Sequence, residues 1–175
     1  MKALITGNMG TGKSHLAKAV LKLAPPFTSC HAVDDYRRKY GDGSMKQEGI
    51  ARAAFLTAIQ APGNMLIECM GLGDLGLEVR ETLTDDSYAV VLLKAPLEIC
   101  LDRLSHRLWE VPYPGTRQQA IEMCISSQAE YEAGKIEARF STQAAGGLFS
   151  FLHITQEHTD YISSFILSKL EHETA

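Results

Sequence analysis

The sequence predicts an α/β protein: five strands, mostly parallel, separated by helices in one open sheet. Three observations carry that expectation. Short apolar runs alternate with longer amphipathic ones, the pattern of strands and helices in turn. At 175 residues the chain suits a single domain over 1–175, given roughly 150 residues per domain, and it can bury about two-thirds of its unfolded surface without a staple. Its 45% hydrophobic and 22% charged residues exclude a disordered chain, a collagen or a coiled coil. No internal repeat or low-complexity tract interrupts it.

Ala3–Thr6 is a short apolar run that reads as a fully buried first strand. Lys13–Leu23 carries Leu16, Ala17, Val20 and Leu21 at helical spacing, and Pro25-Pro26 stops that helix. Phe27–Val33 predicts the second strand. Met45–Gln60 predicts a helix with Ile50, Ala53, Ala54 and Ala58 on its inner face, ended by Pro62-Gly63. Met65–Met70 predicts the third strand, followed by the glycine-rich turn Gly71-Leu72-Gly73. Tyr88–Leu93 is the next strand-like run, and Leu97–Leu108 follows as a helix behind Pro96. Pro112 and Pro114 make Trp109–Arg117 a loop. Gln118–Ala138 is helical by composition and is broken at Ala144-Ala145-Gly146-Gly147. Leu148–Ile154 gives a last strand, and Glu157–Leu170 a last helix with Tyr161, Ile162, Phe165, Ile166 and Leu170 on its apolar side.

Several functions are disfavoured at once. No apolar run approaches the ~18 residues needed to span a bilayer. The amino terminus reaches Gly7 too soon for a signal peptide. Cys30, Cys69, Cys100 and Cys124 lie 24 to 39 residues apart, which suits neither a zinc site nor a secreted disulfide scaffold. The expectation is a soluble cytoplasmic protein (of the host cytoplasm, for a viral chain) with buried thiols and no membrane or protein partner. His31, His106, His153, His158 and His172 fit no metal spacing. The net charge of -4 argues against nonspecific coating of nucleic acid, although seven Lys/Arg against two Asp in residues 1–40 leave +5 there. That bias either offers an anion a local site or reflects ordinary variation over a solvated surface.

The strongest signal is Gly7-Asn8-Met9-Gly10-Thr11-Gly12-Lys13-Ser14, which fits G-x-x-x-x-G-K-[ST] between a strand and a helix. A polyphosphate needs several backbone N–H groups converging on it, so the chain must curl tightly, and Gly7, Gly10 and Gly12 permit the curl. The next helix adds its free N–H groups and the positive end of its dipole. Lys13 then reaches the β- and γ-phosphates of ATP, and the Ser14 hydroxyl ligates Mg²⁺. The motif specifies a three-layer P-loop NTPase fold. No Asn-Lys-x-Asp motif reads guanine, and no long apolar strand ends in Asp-Glu, the nearest being Met65-Leu66-Ile67-Glu68. A kinase is favoured over a GTPase or an ATPase motor.

In a parallel sheet the carboxyl ends of neighbouring strands share one edge, so Asp34 faces the same crevice as the phosphate loop. A carboxylate there can take the proton of an attacking hydroxyl, and Arg37 can hold an anionic group on the acceptor. The same segment also reads as Asp34 or Asp35 capping a helix, with Arg37, Arg38 and Lys39 solvated.

Asp34-Asp35-Tyr36-Arg37, the charged stretch Lys46-Gln47-Glu48-Gly49-Ile50, and Arg103-Leu104-Ser105-His106-Arg107 before Val111-Pro112 resemble phage-type polynucleotide 5′-hydroxyl kinases. With the phosphate loop, the likeness touches segments across residues 5–112. It implies that Asp34 is the general base and that Arg37 contacts the acceptor's phosphate. It further implies a small helical lid over about 103–120, from which Arg107, with Arg103, closes over the nucleotide. Arg103 and Arg107 also read as exposed residues paired with Asp102 or Glu98. The chain departs from the family in having no phosphatase partner domain, His15 after Ser14, and Glu68 where the third strand tends to end in Asp. Glu68 holds Mg²⁺ through water, orients Arg37, or pairs at the sheet edge; Asp35 is open to a share of the base or metal role. Trp109 and Tyr113 flank the lid and either stack on a base or anchor the loop, and Thr155-Gln156 lies where such kinases hold adenine.

The leading expectation is an ATP- and Mg²⁺-dependent kinase whose acceptor is a nucleic acid or nucleotide. That acceptor is a polynucleotide 5′-hydroxyl, or the hydroxymethyl group of a modified base such as 5-hydroxymethyluracil in phage DNA, which must be flipped out to react. The alternatives are a small-molecule kinase acting on a nucleoside monophosphate, a sugar acid or a drug hydroxyl, and a non-catalytic ATP-binding regulator.

Overall fold

In a computed structural model, which describes residues 2–23, 27, 29–83, 88–140, 148–152 and 164, every strand pairing is parallel. The strands are β1 (Lys2–Gly7), β2 (Ser29–Ala32), β3 (Met65–Glu68), β4 (Tyr88–Lys94) and β5 (Leu148–Leu152), in the sheet order β2-β3-β1-β4-β5. The helices are α1 (Lys13–Leu23), α2 (Val33–Tyr40), α3 (Met45–Gln60), α4 (Gly73–Thr82), α5 (Leu97–His106), α6 (Arg117–Glu132) and α7 (Lys135–Phe140). The Ala144–Gly147 break, Pro25-Pro26, Thr155-Gln156 and all of 157–170 except Ser164 lie outside the described residues.

Alternation along the strands divides the core between the two faces of the sheet. Leu4, Ile67, Val90 and Leu92 pack with Phe55 and Ile59 of α3, Val79 of α4 and Phe140 of α7. Ala3, Ile5, Leu66, Val91 and Leu93 pack on the other side with Leu16, Ala17 and Val20 of α1. Buried on both faces, these strands read as continuous apolar runs rather than alternating ones. The register sets Ile5 and Ala32 on either side of Glu68, which brings the carboxyl ends of β1, β2 and β3 to one edge.

Three elements differ from the sequence expectation. The inner face of α3 is Glu48, Ala51, Phe55 and Ile59 instead of Ile50, Ala53, Ala54 and Ala58, and Ile50 is exposed. The shift follows from Glu48, a charged residue that buries itself against a cation from α2. The stretch Gly73–Thr82 is helical, and Gly76 inside it has no room for a Cβ against the backbone of Gly71. The predicted helix Gln118–Ala138 is two helices, parted at Gly134, whose φ of +72° suits glycine. A capping box at Thr116 and Gln119 begins α6. Among the described residues no helix is long and apolar enough to cross a membrane.

Candidate active site

The phosphate loop leaves β1 at Gly7 and enters α1 at Lys13. Gly10 turns with φ +80°, and a Cβ there would stand 2.6 Å from the carbonyl oxygen of Cys100. Only glycine lets the loop pass this close to α5. The Lys13 ammonium donates to the carbonyls of Gly7 and Asn8, at 2.9 Å each. Burial holds its pKa below the ordinary lysine value, against the opposing pull of Glu68 and Asp34. Asn8 ties the loop to α6, its Nδ2 donating to the carbonyl of Cys124 at 2.9 Å and to Oε1 of Gln128 at 3.0 Å. Arg103 donates from Nη1 to the carbonyl of Gly10 at 2.8 Å, so α5 also braces the loop.

Ser14 donates from Oγ to Oε1 of Glu68 at 2.8 Å. Glu68 is 9% exposed, and burial lifts its pKa above the usual carboxylate range, opposed by Lys13 and the Ser14 hydrogen bond. No group of three or more His, Cys, Asp or Glu side chains gathers for a metal among the described residues. A hydroxyl and a carboxylate touching at the loop's end nevertheless fit Mg²⁺, which keeps most of its shell as water and phosphate oxygens.

Asp34 opens α2 and accepts two guanidinium groups: Arg37 Nη1 at Oδ1 and Arg107 Nη2 at Oδ2, both at 3.0 Å. Although burial raises its pKa, the two arginines together take it below the usual carboxylate range. Arg37 in turn gives Nε and Nη2 to the two carboxylate oxygens of Glu48, at 2.9 and 2.6 Å. Its guanidinium carbon lies 4.8 Å from the centre of the Tyr113 ring. Tyr113 is thus an anchor of the 107–116 loop, and its hydroxyl donates to Sδ of Met123 at 3.5 Å. Trp109 sits beside Arg117, 5.7 Å from ring centre to guanidinium carbon.

The phosphate loop and the Asp34 cluster face one cleft of about 730 Å³, also lined by Arg52, Leu72, Trp109 and Met123. The turn after β3 forms part of its wall and is held from behind. Thr6 Oγ1 and the Tyr131 hydroxyl both donate to the carbonyl of Met70, at 2.6 and 2.5 Å, and Arg139 Nη1 to that of Gly71 at 2.6 Å.

The structure therefore gathers Lys13, Ser14, Glu68, Asp34, Arg37, Arg103 and Arg107 around one cleft. Two sequence expectations need correction. Arg37 is oriented by Glu48 and not by Glu68, and with Glu48 and Asp34 on it Arg37 is not a free cation waiting for an anion. Arg103 and Arg107 reach Gly10 and Asp34, not Asp102 or Glu98. Asp35 pairs with Arg38 at the surface, away from the shared oxygens. Glu48, Arg52 and Arg139 carry the site without having been given a role there in the sequence, although Glu48 stood within the charged stretch 46–50. The one usable signal was Glu48 as the single acidic residue of the helix Met45–Gln60.

No protein-family model matches the sequence, and no curated protein matches it significantly. Solved structures do. Shikimate kinase from Acinetobacter baumannii in complex with shikimate aligns over 98% of this chain and 93% of its own, with a TM-score of 0.62 and 17% identity. The fold is that of the P-loop kinases. Shikimate kinase from Bacteroides thetaiotaomicron aligns over 98% of both chains, at TM-score 0.61 and 16% identity. A gluconokinase from Sinorhizobium meliloti 1021 aligns over 98% of this chain and 91% of its own, at TM-score 0.62 and 16% identity. These three P-loop kinases are named for small molecules, and none is a polynucleotide kinase.

Proposed function

We propose that the protein is an ATP- and Mg²⁺-dependent kinase that phosphorylates a hydroxyl group of a small molecule. One observation carries this reading: a complete phosphate loop, with Lys13 and the Ser14–Glu68 pair, opens into the same cleft as a carboxylate, Asp34, that two arginines hold in place. The solved P-loop kinases support a small acceptor over the nucleic acid that the resemblance to polynucleotide kinases suggested, as does the net charge of -4. Pairing of Arg37 with Glu48 likewise argues against its serving as the main contact for a nucleic-acid phosphate.

When bound, ATP supplies the transferable phosphoryl group and Mg²⁺ offsets its charge. Backbone N–H groups of residues 7–14 and the Lys13 ammonium hold the phosphates, and Ser14 with Glu68 holds the metal. Arg103 and Arg107, on the lid over about 103–120, add cations where negative charge grows. Arg107 must leave Oδ2 of Asp34 for this, and its departure frees that oxygen to accept the proton of the attacking hydroxyl. Arg37 keeps its place on Oδ1 and fixes the angle of the carboxylate.

The test is ADP release in the presence of Mg²⁺ with panels of small alcohols, sugars, nucleoside monophosphates and 5′-hydroxyl oligonucleotides. Acceptor-dependent ADP release from the small molecules supports the reading. Transfer only to oligonucleotides returns the acceptor to nucleic acid, and ATP binding without transfer to any acceptor makes the protein a regulator.

A further inference from the structure

The acceptor half of the cleft has an unusual charge balance. Its two buried or half-buried guanidiniums are already taken. Arg37 is 12% exposed and is held by both oxygens of Glu48, itself 8% exposed, with Asp34 accepting from Nη1. Arg52 donates from Nη2 to Oε2 of Glu78 at 2.9 Å. Asp74, exposed in the first turn of α4, also lines the cleft and has no ion pair among the described residues. Three carboxylates, Asp34, Glu48 and Asp74, thus line this half of the cleft beside two guanidiniums, one of them already paired with Glu78, once Arg107 has moved to the donor side. Between the charges the wall is apolar, built by Leu72, Leu75, Val111, Tyr113 and Met123.

An acceptor bearing a carboxylate or phosphate would find on Arg37 only the N–H groups that Glu48 and Asp34 leave over, on a guanidinium whose charge two carboxylates already offset. It would also bring one more negative charge among an excess of them. A neutral alcohol meets neither penalty, and an ammonium group is attracted. We propose that the acceptor is an uncharged or ammonium-bearing alcohol with an apolar body, and that Glu48 is the residue that sets this specificity by neutralising Arg37. This deepens the kinase reading and rests on it for the place of the reacting hydroxyl; the charge selectivity itself is a binding property.

The test compares benzyl alcohol, its meta-carboxylate and its meta-aminomethyl derivative as ligands of the protein loaded with ADP and Mg²⁺, by ligand-observed NMR. The neutral and ammonium members bind at least about tenfold more tightly than the carboxylate, within the range of ~10 mM that weak ligands need. In Glu48→Gln, Arg37 gains a free edge and the carboxylate member gains about tenfold. Glu48 is buried, so a second variant, Asp74→Lys, tests the same balance at an exposed position, with about a threefold gain for the carboxylate. The inference is overturned if the wild-type protein prefers the carboxylate or fails to bind the other two. It is equally overturned if the ranking stays unaltered in the folded variants. Phosphoryl transfer is read separately with ATP. Ranked binding without transfer sinks the kinase reading and keeps the selectivity, whereas transfer to the carboxylate alone does the reverse.

Discussion

Replacing Asp34 with Asn separates the base from the scaffold, because the side chain keeps its size and loses its charge. One amide oxygen remains to accept a hydrogen bond, and the new NH₂ faces a guanidinium that can only donate. Arg37 is the more buried of the two arginines and is fixed by Glu48, so it keeps the surviving oxygen while Arg107 is released. The lost contact joins two partly exposed groups, at 30% and 39%, whose pairing contributes about 1 kcal/mol or less. For a domain of this size that lowers Tm by roughly 2–4 °C. Turnover should fall by about 10²–10⁴, the range for a positioned base, or roughly 3–5 kcal/mol in barrier. ATP affinity should hold, since no phosphate ligand is touched. The stability difference also has a pH signature. The folded pKa of Asp34 lies below its ordinary value of 3.8, so its contribution is complete above that pH and is lost as the pH falls through the folded value. The assays are ADP release at saturating ATP, calorimetric titration of ATP, and thermal unfolding at neutral and acid pH. A turnover within about threefold of wild type, a change of less than ~1 kcal/mol in barrier, would remove Asp34 from the mechanism.

Three further substitutions test the donor side. Lys13→Ala should abolish phosphoryl transfer while the far-UV circular dichroism spectrum stays native, because the ammonium braces only carbonyls within the loop; transfer that survives would place the phosphates elsewhere. Glu68→Gln keeps the hydrogen bond from Ser14 but not the charge, and should raise the Mg²⁺ concentration for half-maximal activity about 10–100-fold, measured by Mg²⁺ titration of initial rates. Gly10→Ala drives a methyl group into the Cys100 backbone at positive φ, and should remove ATP binding in calorimetry and lower Tm; unchanged ATP affinity would show that the loop does not hold phosphate in this conformation.

The parts of the fold that were legible in the sequence are those specified locally. The helix Lys13–Leu23 and the span Met45–Gln60 match the observed helices end to end, because the apolar spacing of the first and the proline breakers after both act within a few residues. The helix Gly73–Thr82 was not legible. Gly71, Gly73 and Gly76 look like a flexible turn, yet Gly76 is glycine because α4 must lie against the backbone of Gly71, a contact that erases the helix signal it requires. The inner face of α3 was misread for a related reason. Alanines on several faces gave no decisive period, and the deciding buried position, Glu48, is one that hydrophobicity assigns to water.

The candidate site divides along the same line. The phosphate loop is one contiguous motif and could be read entire, and Asp34 and Arg37 stand three residues apart on one helix face, so their ion pair was implicit in the sequence. What hydrophobic patterning could not supply was the third member. Glu48 lies eleven residues from Arg37 on another helix, and its arrival reverses the meaning of the arginine. Seen in sequence, Arg37 is an open cation that asks for a phosphate; in the folded chain it is a strut between Glu48 and Asp34, its charge offset by both. Glu48→Gln therefore has a consequence beyond specificity. It should loosen Asp34 as well, so turnover of a neutral acceptor should fall while ATP affinity stays constant. A variant that bound carboxylates better and turned over neutral acceptors at the wild-type rate would show that Arg37 positions nothing, and that Asp34 owes its alignment to α2 alone.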